Sequence, residues 1–231
     1  MTELPAALRG SLEKGAPSQD GMDYIPARWA EWLIGLPVSA GLLEGERAKI
    51  DRAQLCTFVH ESVDTHPVDA LVAVYQWGYG TGGRGPSRAR KILTGGVHDV
   101  ARTRAYDPTV AERLADSVTL ARSGKPYGAY AQLARGAGRI SGFGPAFFTK
   151  WLYAVSAQGD PRSSTALPIL DSLVQDWIKR EAGITLRTGN AKDYAAYVDL
   201  LDEWADTTDA TVRIDVELAI FALERAHRAA A

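Results

Sequence analysis

Cysteine is nearly missing from this chain: Cys56 stands alone among 231 residues. That excludes an intrachain disulfide, a four-cysteine iron–sulfur cluster and a cysteine-rich zinc site. Histidine is scarce too, and His60, His66, His98 and His227 show no ligand spacing, so neither a metal nor a cofactor is expected. The first twenty residues carry Glu3, Arg9, Glu13 and Lys14 and no uninterrupted apolar run, so neither a signal peptide nor a membrane anchor is expected. Strand patterning is nearly lacking, with Gly183–Arg187 a weak candidate, and no repeat of 20–50 residues is present. The glycine-dense loop Gly78–Pro86 lacks the closing Gly-Lys-Ser/Thr of a phosphate-binding P-loop. It reads either as a backbone-approach loop or as a plain helix-linking turn.

What remains is helical. The length suffices for one substantial core or for two small lobes sharing a cleft. Residues 1–24, rich in Gly, Pro and Ser, are expected to be a loose lead-in, with one helical domain over 25–231. Apolar periodicity predicts helices at Ile25–Leu36, Asp51–Ser62, Pro67–Trp77, Ser87–Leu93, Asp107–Ser123, Tyr127–Arg135, Pro145–Ala157, Leu167–Glu181, Asp193–Asp206 and Asp215–Arg228. Several begin at signals that suit a first turn: His66-Pro67, Asp107-Pro108 and Gly144-Pro145.

Net charge is −2, which advertises no polyanion binder, yet it hides a split. Between Arg84 and Arg104 the balance is +5, from Arg84, Arg88, Arg90, Lys91, Arg102 and Arg104 against Asp99. Between Asp193 and Glu217 it is −7, from eight acids (Asp209 among them) against Arg213. Such a split permits a basic face and an acidic far side; ordinary solvated helix faces are the plainer reading.

The most informative stretch is Ala131–Ala157, AQLARGAGRISGFGPAFFTKWLYAVSA, followed by ALPILDSLVQDWI. Two helical patterns meet at Ser141-Gly142-Phe143-Gly144-Pro145, and Lys150 lies in the second. A glycine turn running into a helix N-terminus can offer backbone N–H groups to a phosphate oxygen without reading base sequence. Any tight helix–helix turn can use a Gly-x-Gly as well.

Ile140-Ser141-Gly142-Phe143-Gly144-Pro145-Ala146-Phe147-Phe148-Thr149-Lys150 and Ile169-Leu170-Asp171-Ser172 resemble the hairpin region of the HhH-GPD superfamily of DNA glycosylases, especially proteins of the 8-oxoguanine DNA glycosylase (OGG) fold. The helical order extends that resemblance over about residues 25–228, although only 131–178 carries motifs. The resemblance implies an all-α, two-lobed glycosylase fold with a helix–hairpin–helix. Its partner would be double-stranded DNA with a damaged or modified base, bound by a monomer in the cytoplasm (on the nucleoid if bacterial). It further implies a bifunctional enzyme in which a neutral lysine amine attacks the sugar C1′, displaces an oxidised purine and cleaves the strand through a Schiff base.

Two departures stand out. The superfamily's lysine would fall at Ala146; here Lys150 comes one helical turn later on the same face. The superfamily's Pro-x-Asp becomes Pro168-Ile169-Leu170-Asp171, one residue longer. The resemblance implies Lys150 and Asp171 as catalytic groups, and Ser141, Gly142, Phe143, Gly144, Arg84, Arg88 and Arg90 as DNA contacts. It also implies a base pocket containing Trp151, Tyr153, Asp215 and Phe221, the last being the aromatic on the final helix. Beside this stand plainer readings: Lys150 as a solvent-facing lysine, Asp171 as a helix cap, the aromatics as core. A glycosylase-fold protein that binds modified DNA without chemistry, in repair or defence, and a purely helical interaction module are the rival functions.

Overall fold

The computed structural model describes residues 2–15, 17–208 and 211–230, and these are mainly helical, as the periodicity predicts. Asp209, counted in the acidic stretch, lies outside the described residues. In chain order the elements are α1 (Ala6–Leu12), β1 (Met22–Tyr24), α2 (Pro26–Leu33), β2 (Ala48–Ile50), α3 (Arg52–Ser62), α4 (Pro67–Tyr79), α5 (Gly85–Leu93), α6 (Thr109–Arg122), α7 (Pro126–Ala134), α8 (Pro145–Ser156), α9 (Ser172–Ala182), α10 (Ala191–Ala205) and α11 (Arg213–Ala230).

Local chemistry sets the boundaries. Asp51 caps α3 through a reciprocal box, its carboxylate accepting from the Gln54 amide while the Gln54 side chain accepts from the Asp51 amide. Prolines open α2, α4, α5, α7 and α8, where a missing N–H costs nothing. Gly183, at φ 69°, closes α9 in the left-handed conformation, and no strand forms at 183–187.

Two helices are apolar nearly all round and are therefore interior. In α4 every residue from Val68 to Trp77 is buried, and α8 is buried from Phe148 to Ser156 apart from Lys150. They pack on each other, with α3, α5 and α6 around α4; α7, α9, α10 and α11 pack as a second group. The buried apolar side chains form one continuous cluster across both groups.

Residues 2–15 and 17–24 are not the loose lead-in expected of them. Leu4, Leu8 and Leu12 recur every fourth residue and are buried, and α1 packs on α11. Met22–Tyr24 pairs antiparallel with Ala48–Ile50, in the register Met22↔Ile50, so the molecule also holds a short two-stranded sheet. Its strands are three residues long, too short for a period of two to show in the sequence. The Gly, Pro and Ser count masked an apolar row of helical spacing.

Candidate active site

Lys150 and Asp171 meet. Lys150 projects from the middle of α8, and its Nζ donates to Asp171 Oδ2 at 3.2 Å. The same nitrogen lies 3.4 Å from the carbonyl oxygen of Ala146, so the side chain reaches back one turn toward the start of the helix. Both side chains are mostly buried, 13% and 15% exposed, so this pair is not a solvated surface bridge.

Asp171 owes its place to an extended, buried run, Ala166–Leu170. Such a run lacks helical hydrogen bonds and must find other partners. Tyr194 and Tyr197 of α10 donate their hydroxyls to the carbonyls of Pro168 and Ile169, each at 2.8 Å. From the other side the Leu167 and Leu170 amides donate to Ser156 Oγ and Thr149 Oγ1 of α8. Asp171 then caps α9, its Oδ1 accepting from the Leu173 and Val174 amides at 3.1 and 3.3 Å. One carboxylate oxygen is thus committed to the helix and the other to Lys150.

Two clefts open beside the pair. One, of about 330 Å³, is walled by Lys150, Asp171, Trp77, Glu217 and Phe221. The other, of about 320 Å³, runs from Asp171 past Phe147 and Arg88 to Gly142 and Gly144 of the hairpin. Between them Phe147 is stacked against Tyr75 and Tyr79, with centroids 4.4 and 4.5 Å away. Its ring lies 5.7 Å from Lys150 Nζ.

At the floor of the first cleft sits Arg52, its guanidinium beside the rings of Trp77 and Tyr153, 5.4 and 5.0 Å from their centroids. It donates two hydrogen bonds to the buried Glu217 carboxylate, at 2.9 and 3.2 Å. Burial raises the Glu217 carboxyl above its usual range, against the pull of Arg52. Burial also opposes the charge on Arg52, but Glu217 and Tyr153 outweigh it and raise that pKa. The neighbouring Cys56 is pushed up to about 11 by burial, which keeps it a thiol and unsuited to nucleophilic attack at neutral pH.

The expected site residues divide. Lys150, Asp171 and Phe221 share the first cleft; Arg88, Gly142 and Gly144 share the second. Gly142 requires glycine, with φ 83°, while a Cβ on Gly144 would meet nothing within 4 Å. Ser141 is exposed beside them. Phe143 is buried against Tyr75 and Phe148, so it anchors the hairpin from beneath and is not a surface contact.

Trp151 and Tyr153, expected in a base pocket, do not line the first cleft. One residue beyond Lys150 the helix has turned about 100°, and Trp151 is fully buried with its indole N–H on Ser117 Oγ. Tyr153 lies beneath Arg52 and donates its hydroxyl to the Pro161 carbonyl. Asp215 is held by Arg162 and by the Val212 amide in a separate cavity of about 500 Å³.

Arg90 is no DNA-facing residue either. It is 1% exposed, pairs with Asp99, and donates to the carbonyls of Trp32, Ile34 and Arg104. Arg84 and Arg88 are exposed, and a Cβ on Gly142 would lie 3.5 Å from Lys91 Cε. Lys91, not Arg90, thus completes the basic side of α5 that adjoins the hairpin. The acidic stretch is not a bare face: Asp193, Asp202, Asp215 and Glu217 are ion-paired with Arg187, Arg213, Arg162 and Arg52.

Gln19 and Arg52 were invisible to motif reading because no local pattern marks them, and Gly78 stood out only as the first glycine of its loop; tertiary packing brings all three to Lys150. Among the described residues no group of three or more His, Cys, Asp or Glu is placed to hold a metal, and no helix is long and apolar enough to cross a membrane.

A mostly helical protein with a mostly buried lysine–aspartate pair between two clefts, one bordered by a glycine hairpin, has the architecture of a DNA-glycosylase-type fold. The family assignment agrees: residues 15–221 match the model of the family described as "Putative 8-oxoguanine DNA glycosylase OGG-like protein", and the chain belongs to that family. Membership makes its function glycosylase-like and DNA the polymer it engages. No curated protein and no solved structure matches the chain.

Proposed function

We propose that the protein is a DNA glycosylase with AP-lyase activity, using Lys150 as nucleophile and Asp171 as its proton partner, on an oxidised or otherwise modified purine of the 8-oxoguanine kind. The observation that carries this reading is the Lys150–Asp171 contact at 3.2 Å, with Nζ drawn back to the Ala146 carbonyl. The displacement of the lysine by one turn is made up by the reach of its side chain.

The chemistry follows from that geometry. Asp171 takes a proton from the Lys150 ammonium, and the free amine forms a bond to C1′ of the extruded nucleotide. The C1′–base bond breaks, its electron pair leaves with the base, and the base collects a proton from Asp171. Loss of a proton from nitrogen and opening of the sugar ring give the Schiff base. Removal of a C2′ proton then expels the 3′ phosphate. The first cleft, of about 330 Å³, is of a size to hold a small ligand such as the base. The second lets the hairpin and the basic side of α5 hold the strand, as a monomer on double-stranded DNA.

Borohydride trapping on an abasic-site duplex tests the reading. A covalent adduct is expected with the native protein and none with Lys150→Ala. Duplex binding without an adduct on any lesion would instead establish a reader of modified DNA.

A further inference from the structure

The first cleft is lopsided in its hydrogen bonding. Arg52 Nε–H can only donate, and it sits 2.7 Å from the side-chain oxygen of Gln19. That contact fixes which way the Gln19 amide faces: its oxygen is spent on Arg52, and its amino group is left to donate. Both Glu217 oxygens accept from Arg52, and the carboxylate is 1% exposed, so that acid is used up. Trp77 lines the same cleft, and its buried indole N–H has no hydrogen-bond partner. At the mouth the exposed Arg225 lies against Phe221, its guanidinium carbon 5.8 Å from the ring centroid. Asp171 is engaged by Lys150 on the side where the sugar would sit.

The polar side-chain groups left to meet a ligand on this wall are therefore donors, the Gln19 amino group and Arg225. A wall of donors rewards a ligand edge made of acceptors and penalises one that presents amino groups, because opposing donors would be desolvated without partners. We infer that the cleft selects purines bearing two exocyclic carbonyl oxygens over purines that carry amino groups in their place, with Gln19 as the specificity-determining residue. This inference rests on the glycosylase reading of the Lys150 site and narrows it to a substrate class set by acceptor count.

Xanthine and 2,6-diaminopurine give a direct comparison, since they share one purine frame in which two carbonyls are exchanged for two amino groups and the ring N–H donors beside them for bare nitrogens. Each is placed as a cleavage-resistant 2′-fluoro nucleotide opposite an abasic spacer, so that base pairing contributes nothing, and duplex affinity is measured at low salt. The xanthine duplex is expected to bind at least about tenfold tighter, the scale of one to two hydrogen bonds. Gln19→Glu keeps the shape and the Arg52 contact while removing the amino donor, and it is expected to erase most of that ratio. Equal affinities for the two duplexes would overturn the selectivity and leave the DNA reading standing. A xanthine preference untouched in Gln19→Glu would remove Gln19 from the role. Failure to bind any duplex at low salt would overturn the DNA reading and this inference together.

Discussion

Gly78 sits in the last turn of α4, directly behind Lys150, and it offers a sharp test of how finely the proposed nucleophile is placed. A Cβ at that position would lie 2.7 Å from Phe147 Cε1 and 3.3 Å from Lys150 Cδ. Phe147 cannot yield sideways, because Tyr75 and Tyr79 stack on it at 4.4 and 4.5 Å. Relief must come along α8, toward Lys150, by about 0.5–1 Å if ordinary packing distances are restored. Stability is the lesser effect. Alanine improves on glycine in a helix by about 1 kcal/mol, overpacking costs about 1–3 kcal/mol, and the net loss is about 0–2 kcal/mol. For a chain of this size that lowers Tm by at most about 8 °C. Misplacing a reacting group by about 1 Å, in contrast, costs about a hundredfold in rate. Gly78→Ala is therefore expected to remain folded at 25 °C and to trap an abasic duplex about a hundredfold more slowly under single-turnover conditions. Gly83→Ala, whose Cβ would meet nothing within 4 Å, serves as the control. A folded Gly78→Ala protein that traps at the native rate would refute the claim that this glycine holds Lys150 in register.

The basic residues of α5 are expected to separate by role. Arg88→Ala and Lys91→Ala should each reduce the salt slope of DNA binding by about one while leaving thermal stability alone. Arg90→Ala strands the buried Asp99 and three carbonyls, so unfolding in urea should show a loss of about 3–5 kcal/mol. Tyr197→Phe leaves the buried Ile169 carbonyl without its donor; a loss of about 1–3 kcal/mol in the same assay, with slower trapping, is the expected result. Arg187 depresses Asp193 to about 2 from the usual 3.8. A carboxyl lowered on folding contributes stability that is full above its unfolded pKa and lost as pH falls through the folded one. Acid unfolding followed by circular dichroism should accordingly lose part of its dependence between about pH 4 and 2 in Asp193→Asn.

Periodicity and caps made the helices legible. Asp51, Pro67, Pro108 and Pro145 stand at or within a residue or two of helix starts, because end signals are local chemistry. The pairing of Lys150 with Asp171 could be anticipated from the two motif words, since both shifts in spacing can be absorbed by one long side chain. Arg90 could not be read correctly: a basic helix looks solvated until Asp99 and the carbonyls of Trp32, Ile34 and Arg104 arrive from elsewhere. Trp151 and Tyr153 failed for a finer reason, in that a rotation of about 100° per residue separates cleft from core within one turn. Gln19 and the hydroxyls of Tyr194 and Tyr197 act across long sequence separations, on which local patterning is silent.

The seating of α1 on α11 has a consequence for how the molecule is made. The Thr2 amide donates to Glu203, the Trp204 indole donates to the Thr2 carbonyl, and Leu8 is fully buried. On a ribosome α11 emerges well after α1 and α3, so Arg52 waits for its counter-ion until Glu217 has been made. Early residues must stay uncommitted for most of that time, with an apolar row unclaimed. Closure of α1 against α11 should thus be a late event in the folding of this core, and a nascent chain halted before Arg213 should be retained by chaperones.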